Sequence, residues 1–148
     1  MKFKLPNKII YMLKLFAAQS FLTLTAFILL LYISRLPGGA VGMAPLVVMI
    51  IISIQFISGA IIYIFSGPKV LTNKLVIKWL IIYALIYELT YFFMSGNFAV
   101  INYIQEEDSI VGLVILFYSI SSILGFFLTI AFIQIYYVAM NKILNSQS

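Results

Sequence analysis

The 148-residue chain contains no cysteine and no histidine. Their absence excludes disulfides, thiol chemistry, zinc sites built on Cys or His, and the bis-histidine haem ligation of many small membrane anchors. Charge is scarce as well: charged residues make up 9% of the chain and only four are carboxylates, while 64% are hydrophobic and the mean hydropathy is +1.16. Soluble domains carry roughly 25% charged residues, so this surface must be solvated mostly by lipid. The motifs of catalysis are missing too. There is no GxSxG, no HExxH, no phosphate-cradling glycine loop ending in lysine and no dinucleotide fingerprint. Without histidine, and with one acid inside an apolar run, neither a nucleophile with its base nor a carboxylate pair can be assembled. The expectation is a non-enzymatic protein with no cofactor and no metal.

The charges that are present are sorted. Lys2, Lys4, Lys8 and Lys14 precede the first of four long apolar runs, Lys69, Lys74 and Lys78 lie between or at the edge of the second and third, and Lys142 follows the fourth. Glu106, Glu107 and Asp108 occupy the one connection without Lys or Arg, and Arg35 is the sole basic residue on that side. The positive-inside bias then places both termini in the cytoplasm. The sequence predicts an all-α integral membrane protein: one four-helix transmembrane bundle, with spans over about 11–34, 44–66, 75–94 and 110–139, in the cell inner (plasma) membrane. The net charge of +5 does not point to nucleic acid. Every lysine falls near a membrane surface, where anionic headgroups account for it.

Local signals mark the ends of the runs. The first run, at roughly 24 residues, exceeds the ~20 needed to cross a ~30 Å hydrocarbon core and is longer than a secretory h-region, so an uncleaved span is expected. Pro45 suits the first turn of the second helix, and Gly67-Pro68 stops it. Thr72 or Asn73 can cap the third helix, which Ser95-Gly96-Asn97 ends. Phe98 to Ile104 is apolar enough to lie as a short interfacial segment. Tyr11, Tyr63, Trp79, Tyr136 and Tyr137 are expected to form an inner aromatic belt. No internal repeat is visible.

Glu88 is the charged-type residue within a span, and at comparable depth lie Thr23, Thr25, Ser53, Gln55, Ser121 and Ser122, with Tyr91 one turn away. No cation shares that depth, so burial favours the neutral acid. Intramembrane carboxylates often mark ion pathways, but one carboxyl without a titratable partner makes a thin relay. The preferred expectation is a structural acid hydrogen-bonded to Gln55, a serine or Tyr91. Ser121, Gly125 and Thr129 recur every four residues and form a small-residue face for close packing within the bundle, with Ser58-Gly59-Ala60 as the facing patch. Lys2, Lys4, Lys8 and Lys14 are read as lipid-headgroup contacts. The acidic triplet reads as a solvated loop, without the Asp/Asn/Gly spacing of a calcium loop.

These readings lead to a small polytopic protein acting through helix contacts within the bilayer. Its partners would be lipid and another membrane protein or a second copy. An accessory subunit of a membrane complex or a toxin-immunity-type protein fits this description. The alternative is a small oligomeric proton- or cation-coupled transporter centred on Glu88.

Overall fold

A computed structural model describes residues 5–36, 42–68, 71–105 and 110–145. They form five helices: α1 (Leu5–Ser34), α2 (Ala44–Ser66), α3 (Asn73–Ser95), α4 (Ala99–Gln105) and α5 (Ile110–Asn145). No strand occurs among the described residues. α2 is dense in Ile and Val, which in water would favour strands. In lipid every backbone N–H and C=O must be satisfied within its own segment, and an isolated apolar run meets that demand only as a helix. Four helices are long and apolar enough to cross a membrane, over Lys8–Ser34, Ala44–Ser66, Asn73–Ser95 and Ile110–Tyr136.

The helix ends follow the local chemistry. Pro45 occupies the first turn of α2, and the Gly67 N–H closes the helix on the Tyr63 carbonyl at 2.8 Å. Thr72 caps α3 by accepting from the Leu75 N–H at 3.4 Å. Gly96 ends α3 at φ 79°, a left-handed conformation that glycine adopts without a Cβ penalty. Arg35 terminates α1 in the same region, at φ 48°. Two helices outrun the apolar segments that the sequence defines. α1 begins at Leu5 rather than near residue 11, and α5 continues to Asn145, about 54 Å in all at ~1.5 Å per residue.

α1 runs antiparallel to α5 in the most extensive interface of the bundle. Its register is marked by Tyr11 near Tyr136, Thr23 against Gly125, and Phe27 stacked on Tyr118 with ring centres 5.1 Å apart. α2 packs between α1 and α3, and α3 closes the ring against α5. The core has two apolar clusters stacked along the bundle axis. One joins Met12, Phe16, Tyr63, Trp79, Leu80 and Tyr83, near the start of α1 and α3. The other joins Phe27, Val48, Ile51, Tyr87, Tyr91 and Tyr118, toward the opposite end, and includes Ala99 of α4. α4 lies against α5 and α3, where the sequence predicts an interfacial segment.

The distribution of polarity is the reverse of a soluble protein's. Gln19, Gln55, Thr23, Ser121 and Thr129 are buried, while Phe21, Tyr32, Phe65, Phe93 and Ile135 are exposed. Large apolar side chains cover the outside of all four long helices. Such an exterior requires lipid contact. Two residues of the expected aromatic belt face the bundle interior. Tyr63 and Trp79 are buried and meet edge to face at 5.0 Å, and Tyr63 also meets Phe16 edge to face at 6.0 Å, which ties the pair to the core.

Candidate functional site

The interior polar groups form two layers, the first at mid-bundle around Tyr83. Gln55 donates to the Tyr83 carbonyl at 2.8 Å, and Gln19 donates to the Leu80 carbonyl at 3.5 Å. A helical carbonyl has a second lone pair beyond its intrahelical bond, so α1 and α2 each fasten to the backbone of α3. The Ser20 and Tyr83 hydroxyls share a hydrogen bond at 2.6 Å, and Phe16 stacks on the Tyr83 ring at 4.2 Å, nearly parallel. The edge of the ring requires Gly59, where a Cβ would come within 2.6 Å of Tyr83 Cδ2.

Tyr83 is thus clamped by two other helices. Tyr83, Gln19 and Ser20 lie outside the polar cluster expected from the sequence. Gln19 was the available signal, as an amide within the first apolar run. Removing the hydroxyl with Tyr83→Phe leaves the ring packing intact and breaks the Ser20 bond. The expected loss is about 1 kcal/mol, within the range for interhelical hydrogen bonds in membranes, and is readable by unfolding in mixed micelles.

The second layer holds Glu88, four residues beyond Ala84 at the midpoint of α3, or about 6 Å along the axis. Ser119 of α5 donates to Glu88 Oε2 at 2.9 Å. Glu88 Oε1 is buried and has no partner among the described residues, as is the neighbouring Tyr87 hydroxyl. Ser121 lies beside that hydroxyl, with Glu88, Tyr118 and Tyr91 as its electrostatic neighbours. Asn102 of α4 donates to the Tyr91 hydroxyl at 3.4 Å, and the Tyr91 and Tyr118 rings lie 5.4 Å apart. This layer joins α3, α4 and α5.

The structure gathers only part of the predicted cluster. Tyr91 and Ser121 belong to the Glu88 layer, but the serine bound to Glu88 is Ser119. Gln55 is occupied at Tyr83, five residues and about 7.5 Å along α3 from Glu88. Ser53 is exposed on the outer face of α2 and donates to its own helix at the Met49 carbonyl. Ser122 is buried on α5.

The packing stripe is placed more simply. Ser121 and Thr129 are fully buried and bond to the carbonyls of Tyr118 and Gly125 on their own helix, freeing the face for close approach. Gly125 meets the backbone of Thr23 on α1, not the α2 patch expected from the sequence. Gly59 packs on Tyr83 of α3, and Ser58 beside it is half-buried. The antiparallel pairing of α1 with α5 sets these partners. Among the lysines read as headgroup contacts, Lys14 is exposed, while Lys8 is 7% exposed and engaged within the protein. Lys2, Lys4, Glu106, Glu107 and Asp108 lie outside the described residues.

Comparison with protein families, with curated proteins and with solved structures finds no match. The geometry itself defines the class: a multi-pass membrane bundle with polar side chains turned inward and an apolar exterior.

Proposed function

We propose that this protein is a non-enzymatic membrane component acting through helix contacts in the bilayer, as an accessory subunit of a membrane complex or an immunity-type protein that blocks a membrane-inserting toxin. The observation that carries this reading is the set of interhelical hydrogen bonds that interior polar side chains make within the bundle. Glu88 is tied to Ser119, and Gln19, Ser20 and Gln55 are tied to α3. The surface left for recognition is the apolar exterior. Purification in mild detergent should recover a stoichiometric membrane partner, and substitutions on exposed span faces should abolish its recovery without lowering helicity. Recovery of the chain alone from cells that hold its partner would defeat the proposal.

A second reading keeps one specific observation in its favour. Glu88 Oε1 is buried without a hydrogen-bond partner among the described residues, as are the Gln19 and Gln55 amide oxygens, and of these only the carboxyl oxygen is a candidate proton ligand. This reading makes the protein a small oligomeric transporter centred on Glu88.

Both readings share a topology resting on the lysine partition, with the termini on the cytoplasmic side of the inner membrane. Reporters fused near Asn73 and Ser148 should report cytoplasm, and one near Glu107 the outside. A cytoplasmic signal near Glu107 would invert the topology.

A further inference from the structure

The outer surface between α1 and α2 carries a shallow, open groove of about 440 Å³, lined by Ala17 and Ser20 of α1 and by Ile52, Ser53, Phe56 and Ile57 of α2. The two hydroxyls in its wall are already used: Ser20 bonds with Tyr83, and Ser53 donates to Met49. At this depth the groove suits an apolar occupant. One turn before Ala17, on the exposed side of α1, stands Lys14. It lies seven residues before Phe21, the midpoint of the apolar segment of α1, or about 10 Å toward the lysine-rich end. A hydrocarbon half-thickness of ~15 Å lets its ammonium snorkel to the headgroup level. An apolar slot with a cation above it complements an amphipathic anion.

We propose that the α1–α2 groove is a binding site for one anionic phospholipid, whose acyl chain lies along Ala17, Ser53 and Phe56 and whose phosphate meets Lys14. The ligand comes from the leaflet on the lysine side, the cytoplasmic one under the proposed topology. Its identity is set by charge at one end and by the apolar slot at the other.

The test uses the full chain in mild detergent, exposed to defined mixtures of phosphatidylglycerol and phosphatidylcholine, with retained lipid counted by native mass spectrometry. The wild-type protein should retain one phosphatidylglycerol in preference to phosphatidylcholine. Lys14→Gln should weaken that preference about fivefold, as expected for one basic residue near an anionic surface. Ala17→Phe, at an exposed position, should fill the slot and lower retention of both lipids with helicity unchanged. Ile57→Trp, also exposed, makes the same test from the opposite wall should Ala17→Phe misfold. Lys78→Gln, an exposed lysine on α3 away from the groove, should leave retention as it is. Equal loss with Lys78→Gln would reduce the effect to general surface charge and overturn the site. So would unchanged retention in Lys14→Gln or in the slot-filling variants, or a dimer that Ala17→Phe dissociates.

Discussion

Gly125→Leu is expected to separate α1 from α5 and to destabilise the bundle by at least ~1–3 kcal/mol, the usual range for overpacking a filled interior. At Gly125 even a Cβ atom would lie 2.9 Å from the Thr23 amide nitrogen and 3.0 Å from its Cα, in addition to colliding with its hydroxyl. The obstacle is therefore backbone, which cannot rotate away as a side chain can. Gly125→Ala should already be destabilising, and Thr23→Ala should rescue it only in part, since it removes the hydroxyl and leaves the amide and Cα in place. Phe127→Leu, on the exposed face of the same helix, should change little. Thermal unfolding in detergent reads all four variants. Wild-type stability in Gly125→Leu would show that α1 and α5 do not approach as closely as described.

How much of this was legible in the sequence depends on the scale of the physics involved. Spans and stops are local. Run length, Pro45, Gly67-Pro68, the Thr72 cap and Gly96 each act within a few residues of their own position, and the helices follow them. Partners are not local. The four-residue spacing of Ser121, Gly125 and Thr129 marks a close-packing face, but which helix fills it depends on the order of helices around the ring, which spacing does not encode. Thr23 of α1 fills it. The Glu88 cluster illustrates the same limit. Residues at similar depth were grouped, yet depth fixes one coordinate and the angle around each helix fixes the other. Gln55 faces the Tyr83 carbonyl, and Ser53, two positions earlier, faces outward. Ser119 could not be ranked above Ser121 or Ser122 until α3 and α5 were placed in register.

Replacing Glu88 separates the two functional readings. In the structural reading, Glu88→Gln keeps the shape of the side chain and an oxygen able to accept from Ser119, so both folding and biological activity should survive. Glu88→Leu removes the acceptor, leaves Ser119 without its interhelical partner, and should lower stability by about 1–2 kcal/mol through the loss of a hydrogen bond between α3 and α5. A Ser119→Ala variant should reproduce most of that loss, and combining it with Glu88→Leu should add little, because both changes delete the same bond. The transporter reading orders these variants differently. An amide cannot take up and release the proton, so Glu88→Gln would fold with full stability and still lose pH-dependent transport in proteoliposomes, while Ser119→Ala would shift the pH dependence and retain turnover. A stable but inactive Glu88→Gln protein would therefore reject helix contact as the purpose of this carboxyl and assign the unpartnered Oε1 to a transported ion.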